Sequence, residues 1–318
     1  MTPVAAVIGN FQGGPLLRDC LESLRGQTLV PAEVIVVDAG SSDGSDGLAR
    51  VLGATLLRAP NHGIGSLYNR GAEAARTELV LLANNDVAFD PRCLELLAGA
   101  FTDDPTLFAA DPTQTDWDGR RTIHARVAMR RGPLLRQPLP GFRIDQTVQA
   151  ERPIETVMAG GGAMLVRREL LLELGGFDET FFMEFEELDL CWRAWLRGWR
   201  SIYVPEAVCR HAVGMATTAA IKPRRVSSAH HNLVRFALKC LPPRAAARVL
   251  AGELLRLPAH PRLIAPALAQ VVRELPAILG LRARLSPSKA LSDWILDGQR
   301  GPVPVRGARG GLRWMSDR

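Results

Sequence analysis

Three short apolar runs in the first ninety residues each stop on polar side chains, and that pattern constrains the fold more than any other feature. "PVAAVIG" (3–9) stops at Asn10, "EVIVVD" (33–38) at its own Asp38, and "ELVLLA" (78–83) at Asn84-Asn85-Asp86. Between them lie stretches with helical spacing, such as "LLRDCLESLRGQ" (16–27), where Leu17, Cys20, Leu21 and Leu24 share one face. A helical 46–52, a strand-like "ATLLRA" (54–59) and a helical "GSLYNRGAEAAR" (65–76) complete the series. Strands that are apolar on both faces need helices on both faces, so the chain is expected to be α/β, with a Rossmann-like, mostly parallel sheet. In such sheets ligands bind outside the carboxyl ends of the strands, which singles out Asn10, Asp38 and Asp86.

The rest of the chain divides less cleanly. Residues 112–155 are polar, Arg-rich and Pro-rich, and read as loops with at most a hairpin. Order returns in "ETVMAGGGAMLVRRELLLELGGFDE" (155–179), which predicts strands around the glycines and a helix near 167–174. "FEELDLCWRAWLRG" (185–198) predicts an amphipathic helix with Leu188, Cys191, Trp192, Trp195 and Leu196 toward the core. "RSIYVP" (200–205) is strand-like. Beyond residue 222 come Ala/Leu/Arg helices that Pro242-Pro243, Pro258, Pro261, Pro266 and Pro276 are expected to break. The expected units are 1–112, 113–221 and a helical extension over 222–318.

Charge follows the last boundary. Residues 1–221 carry 21 Lys and Arg against 28 Asp and Glu, a net of −7, while 222–318 carry 18 against 5, a net of +13. Five cysteines, widely spaced and without a CxxC pair, exclude a disulfide framework and a cysteine zinc site, and suit a reducing compartment. The N-terminus lacks the pattern of a signal peptide, and no apolar run reaches the ~20 residues of a membrane span. A cytoplasmic protein is expected.

Familiar nucleotide motifs fail: there is no GxxxxGK[ST], and neither "GNFQGG" nor "GGG" satisfies GxGxxG. Two readings stay open for Asp38. It either accepts the N3–H of a uracil or thymine ring, or makes an Asx-turn over the Gly-Ser run that follows. Asp86 either holds a metal ion or belongs to a turn before a helix capped at Asp90-Pro91. Gly160, Gly161 and Gly162 either clear space for a sugar or acceptor, or form a tight turn. Glu186, Asp189 and Arg193 share one polar stripe of their helix, which a solvated or salt-bridged face would equally explain. Phe181 and Phe182 could be core or an acceptor platform.

Taken together and in order, "AAVIGNFQGG", "EVIVVDAGSSDGS", "NHGIGSLYNRGA", "LLANNDV", "AGGGAMLVRRELLLELGGFDETFFMEFEELDLCWRAWLRGWRSIYVPEAV" and "RHAVG" resemble a family 2 glycosyltransferase of the bacterial rhamnosyltransferase-like branch. The resemblance covers residues 3 to about 215, and "HHNLVRFALK" (230–239) resembles a segment the branch carries just beyond. It implies a GT-A fold and inverting transfer of a sugar from a nucleoside diphosphate to an acceptor hydroxyl. Asn10, Asp38, Ser41 and Asp43 would line the nucleoside, and Asn61, Gly63, Gly65 and Asn69 would pass near the donor. Asp86 would close a DXD-like turn and bind Mg²⁺ or Mn²⁺, with Asn84 and Asn85 beside it and His211 contacting the metal or diphosphate. Glu187 stands where the family usually has an Asp general base, one methylene longer. Glu186, Asp189 and the three glycines would border the acceptor and sugar.

The implied partners are a dTDP- or UDP-linked donor, with rhamnose the favoured sugar, and a glycan or lipid-linked acceptor in cell-surface polysaccharide synthesis. The basic tail suits peripheral contact with the inner face of the cytoplasmic membrane, or else only caps the domain. Nucleic acid is not expected, because no aromatic stripe accompanies the charge. Two other classes compete: a catalytically weakened sugar-nucleotide binding protein, and a sugar-nucleotide pyrophosphorylase. The latter is disfavoured by the lack of a Gly/Lys/Arg-rich loop after the first strand.

Overall fold

A computed structural model describes residues 2–131, 142–147, 150–160, 162–213, 222–285, 289–296, 304–306 and 312–314. Its centre is a ten-stranded sheet. Strands β1 (Val4–Asn10), β2 (Glu33–Asp38), β3 (Thr55–Arg58) and β4 (Leu79–Asn84) run parallel in the order β4-β1-β2-β3. Side-chain alternation explains why this order is stable. Val4, Ala6, Ile8, Leu79, Leu81 and Ala83 face one core layer, while Ala5, Val7, Val80 and Leu82 face another. Helices α1 (Gly14–Arg25), α2 (Ser45–Val51) and α4 (Cys93–Gly99) cover the first layer. Helices α3 (Ile64–Ala74), α5 (Arg168–Glu173) and α6 (Glu186–Leu196) cover the second. This is the expected α/β arrangement.

Beyond β4 the sheet becomes mixed. β11 (Ala163–Arg167) inserts antiparallel between β4 and β6 (Leu107–Thr115), and β12 (Arg200–His211) pairs parallel with β6. Three short strands, β5 (Val87–Phe89), β7 (Thr122–His124) and β10 (Ile154–Glu155), add at this end. The region expected to be loops with a hairpin thus contributes the end of β6, β7, β10, and an antiparallel pair, β8 (Arg126–Arg131) with β9 (Phe142–Thr147). The expected unit boundary at 112 falls inside β6. β12 is twice the predicted length. The strand passes a register shift between Val204 and Val208 and continues to His211.

α6 is buried on both sides. One side faces the sheet through Leu190, Cys191 and Ala194. The other packs Leu188, Trp192, Trp195 and Leu196 against α7 (Lys222–Cys240), α8 (Pro243–Arg256) and α10 (Lys289–Leu296). The Trp192 and Trp195 rings are core, and so is Phe181. α9 (Pro261–Leu285) runs without a break through Pro266 and Pro276, contrary to the sequence expectation. Both prolines lie on the exposed side, where water can satisfy the carbonyls they leave unbonded. With its 25 residues uninterrupted, α9 is long and apolar enough to cross a membrane by length and composition, which the sequence reading had ruled out for the chain. Here its Ile264, Ala267, Val271 and Ile278 are buried, and Val271 and Ile278 pack with Val234 of α7.

Candidate active site

The polar strand ends meet. The Asn10 amide donates toward Asp38 Oδ2 at 2.7 Å, Ser45 Oγ at 2.9 Å and Ser41 Oγ at 3.2 Å, and its Oδ1 accepts from Asn85 Nδ2 at 2.7 Å. One side chain therefore ties β1 to the ends of β2 and β4. Gly13 makes room for it, because a Cβ there would lie 2.2 Å from Asn10 Oδ1. Asp38 is 1% exposed, and its Oδ1 accepts the N–H groups of Gly40 (3.0 Å) and Ser41 (2.9 Å). The Asx-turn is thus present, and with three hydrogen bonds in place the carboxylate keeps acceptor capacity for about one more. Asp43 bridges the two neighbouring loops, accepting from Gly14 N–H at 2.8 Å and from Ser45. Burial works against its charge, but these bonds outweigh it and hold the carboxyl below its usual value.

The Asn-Asn-Asp triplet sends each side chain a different way. Asn84 Oδ1 accepts from the Tyr68 hydroxyl at 2.8 Å, Asn85 goes to Asn10, and Asp86 Oδ1 lies 3.2 Å from His211 Nε2. β5 pairs with the end of β12, placing Val87 opposite His211, which brings the two expected metal ligands together from 125 residues apart in sequence. His211 Nδ1 meets Gln114 Oε1 at 2.9 Å, while Gln114 Nε2 donates to Gly160 O at 2.6 Å. That donation fixes the amide, so Nδ1 carries the proton, and a neutral His211 presents the Nε2 lone pair toward Asp86. Two acceptors facing each other are held together by a cation or by a proton. The donor set therefore fits a divalent cation bound by two protein ligands, with its remaining positions left for diphosphate and water. Among the described residues no cluster of three or more His, Cys, Asp or Glu could hold a metal without such help.

A second centre lies on the other side of the glycine turn. Glu187 is the one residue of α6 that is not buried. Its side chain packs on Gly160: a Cβ built there would be 2.6 Å from Glu187 Cγ. A Cβ on Gly162 would lie 2.6 Å from His211 Cε1 and Nδ1. The turn is thus pressed between Glu187 and His211, and both readings of it, tight backbone and cleared space, apply. Gly161 lies outside the described residues. Tyr68 marks how close the charges stand. Burial first, then the negative charges of Glu187, Asp86 and Glu186, push its phenol well above the usual value.

Other expected site residues do different work. Asp189 is fully buried, with Oδ2 on Arg193 Nε at 2.8 Å and Oδ1 on Lys239 Nζ at 2.5 Å. It does not border the acceptor space, because both oxygens are held in an ion cluster between α6 and α7. Arg193 is buried with it, donating to Leu174 O and Gly176 O, so the polar stripe is salt-bridged and not solvated. Glu186 is also buried. Asn69 is committed to the 176–179 loop, accepting from Phe177 N–H (2.7 Å) and donating to Phe177 O (3.0 Å) and Glu179 (3.0 Å). Gly63, at φ +107°, lets the chain pass under Phe182 O, which a Cβ would meet at 2.2 Å. Asn61 lies half-buried on the same loop. A cavity of about 300 Å³ lined by Asn69, Glu73, Leu171, Gly176, Phe177 and Glu179 contains none of Asp38, Asp86, Glu187 or His211 and is not the cleft.

Four residues escaped the sequence reading: Tyr68, Asp111, Gln114 and His124. "LFAAD" (107–111) repeats the form of "VIVVD", an apolar run closed by a carboxylate, and that signal would have found Asp111. Asp111 Oδ2 meets His124 Nε2 at 2.8 Å, and its Oδ1 accepts Gly160 N–H at 3.2 Å.

Comparison with known proteins bears on the family and the fold. The family described as Glycosyl transferase family 2 matches residues 6–175. N-acetylglucosaminyl-diphospho-decaprenol L-rhamnosyltransferase of Mycobacterium tuberculosis is 32% identical over 259 residues, covering 72% of this chain and 81% of the relative. Among solved structures, GalNAc-T7 with UDP, GalNAc and Mn²⁺ has a TM-score of 0.59 at 16% identity, covering 76% of this chain and 48% of that one. The mannosyltransferase PcManGT from Pyrobaculum calidifontis, in complex with GDP-Man and Mn²⁺, has a TM-score of 0.55 at 21% identity, covering 93% and 84%.

Proposed function

The chain belongs to glycosyl transferase family 2, and from that premise we propose an inverting transfer of a hexose from a dTDP- or UDP-sugar to a hydroxyl of a lipid-linked saccharide, assisted by Mg²⁺ or Mn²⁺. Rhamnose is the favoured sugar and a polyprenyl-diphosphate saccharide the favoured acceptor, by analogy with the mycobacterial relative. The product would serve cell-surface polysaccharide synthesis. Residues 1–112 would form the nucleotide-sugar half, 113–221 the acceptor half and 222–318 a basic helical extension. The observation that carries the reading is the glycine turn pressed between Glu187 on one side and His211, with Asp86, on the other.

In this reading the nucleoside lies against the loops after β1 and β2, whose shape Asn10, Ser41 and Asp43 maintain. The remaining acceptor capacity of Asp38 would take a ring N3–H. Asp86 and His211 would hold the cation, which offsets charge on the departing diphosphate. Glu187 accepts the proton of the acceptor hydroxyl. The acceptor oxygen then forms its bond to the anomeric carbon from the face opposite the diphosphate, as the carbon–oxygen bond to diphosphate breaks, and the configuration inverts. Its single unburied position on α6 gives Glu187 access that Glu186 and Asp189 lack. The protein would work at the cytoplasmic face of the membrane, in peripheral contact through its basic helices.

Thermal shift with UDP, dTDP, GDP and ADP, each with and without Mn²⁺, tests the donor side, and Glu187→Gln tests the chemistry. The expected result is metal-dependent stabilisation by UDP or dTDP, retained in Glu187→Gln while turnover is lost. Full turnover in Glu187→Gln would remove the base assignment. Donor binding by the wild type without turnover on any lipid-linked acceptor would favour a sugar-nucleotide binding protein.

A further inference from the structure

The mechanism above gives the acceptor a base but no counter-charge. Asp38, Asp86 and Glu187 are carboxylates, and none of the side chains assigned to the cleft is cationic. A saccharide joined to lipid through diphosphate brings a second pair of phosphates to this place, beside those of the donor. Arginine offsets such charge best, because its planar fork gives two directed hydrogen bonds. The edge of the sheet next to the metal pair carries arginines of this kind. Arg210 precedes His211 on β12, and its guanidinium lies over the ring of Trp117, 5.8 Å from the centroid, on the turn between β6 and β7. Arg210 and Arg120, the latter on the same turn, are exposed and make no ion pair among the described residues. Arg121 lies 3.9 Å from Asp116, which is committed within the turn, accepting the N–H groups of Arg120 at 2.8 Å and Arg121 at 3.1 Å. Asp118 is exposed at the tip.

The Trp117–Arg210 stack could serve only to close the turn onto β12, where Thr115 and Arg210 are register partners. The side of the sheet it occupies argues for more. Cys209 of β12 and Val87 and Phe89 of β5 belong to the first core layer, and Val87 and Ala88 stand opposite His211 and Arg210. By alternation Arg210 leaves the sheet on the other side, the side that α6 covers. On that side Asp111 accepts Gly160 N–H at 3.2 Å, and the Glu187 side chain packs on Gly160. Thr115 lies four residues beyond Asp111 on β6, or about 13 Å at roughly 3.3 Å per residue. The base and the arginines thus share one side of the sheet, separated along it by about the length of a sugar ring with its diphosphate. Thr115 also has a buried hydroxyl with no hydrogen-bond partner among the described residues, a donor left over at the base of the stack.

We propose that Arg210, stacked on Trp117, and Arg120 bind the diphosphate of the acceptor, and so select a diphosphate-linked saccharide over a neutral glycoside. This rests on the reading of the reaction as transfer to a lipid-linked saccharide. The indole holds the guanidinium plane in place and leaves its N–H edge for phosphate oxygens. Arg120 reaches the same edge from the turn and supplies the second charge.

Two acceptors separate the charge from the sugar: a short-chain N-acetylglucosaminyl-diphospho-lipid and the octyl glycoside of N-acetylglucosamine. Both are offered in neutral detergent, so that no anionic lipid competes. The wild type is expected to prefer the first in kcat/KM, and the preference should fall as salt rises. In the double variant Arg120→Gln/Arg210→Gln the preference is expected to shrink by about 10- to 100-fold, through the KM of the diphosphate acceptor, as charge-assisted hydrogen bonds are lost. Arg50→Gln, at an exposed arginine of α2, should keep it. A wild type without the preference overturns the proposal, as does a double variant that retains it, or one that loses activity equally on both acceptors. Calorimetric binding of the diphosphate acceptor in the presence of UDP or dTDP reads the site without turnover. Binding that needs the two arginines, in a protein that transfers no sugar, would remove the proposed reaction and leave this site standing.

Discussion

Gly160 and Gly162 make the two centres of the cleft separable by single methyl groups. Gly160 sits at φ +147°, and an added Cβ would strike Glu187 at 2.6 Å from Cγ and 2.8 Å from Cβ. A Cβ on Gly162 would strike His211 and, at 2.9 Å, Gln114 Oε1 instead. Gly160→Ala is therefore expected to lower kcat by about 100-fold, the cost of misplacing a reacting group by about an ångström. Metal-dependent stabilisation by nucleotide should survive it. Gly162→Ala should do the reverse, losing the metal-dependent thermal shift. Equal loss of both properties in both variants would mean that the turn supports the fold and not the two centres. The polar ends of the strands were legible at this scale because a polar group that closes an apolar run stands out in a short window of sequence. Gln114 was not. One more amide in a polar stretch carries no signal until a partner at the end of another strand gives it a job.

Helix α6 was legible as an element, and its orientation was not. Its apolar spacing predicted a single buried stripe, and that stripe packs on α7, α8 and α10 while Leu190 and Ala194 face the sheet, so Asp189 and Arg193 became an internal ion cluster with Lys239. The turn that aims the helix is unusual. Glu184 and Phe185 both have positive φ, +72° and +71°, a conformation that costs roughly 1–2 kcal/mol per non-glycine residue. Asn232 of α7, fully buried, donates its amide to Met183 O at 2.8 Å and Glu184 O at 2.9 Å and holds that turn. The "HHNLVRFALK" segment thus reaches the turn that leads into α6, three residues before Glu187. Asn232→Ala is expected to reduce stability by about 1–3 kcal/mol in urea unfolding and to lower kcat, with UDP or dTDP affinity unchanged. A variant that loses stability but keeps wild-type kcat would show that the turn is set elsewhere.

At the scale of the molecule, charge and apolar surface coincide. The outward side of α9 exposes Ala265, Ala269, Val272, Pro276 and Leu279, with Val272 68% and Leu279 49% exposed, and Leu254 and Leu255 of α8 are exposed as well. Arg262, Arg273 and Arg284 lie exposed along α9, while its single acid, Glu274, pairs with His231 and Arg235 of α7, both at 2.9 Å. An apolar stripe edged by arginines suits the headgroup region of an anionic bilayer. Co-sedimentation with phosphatidylglycerol vesicles should exceed that with phosphatidylcholine vesicles, fall with salt, and be lost on replacing Val272 and Leu279 by Asp. Equal binding of that double variant would remove α9 from the membrane contact. The sequence by itself determined the α/β class, the strand ends that carry the polar groups, and the +13 extension, because periodicity and charge are local properties. Only the tertiary structure decided that Asp86 meets His211, that Glu187 and not Asp189 stays open, that Asp111 and His124 stand behind the glycine turn, and that α9 runs through two prolines. Those outcomes depend on which strands are neighbours and what packs on each helix face, and no short window of sequence contains that information.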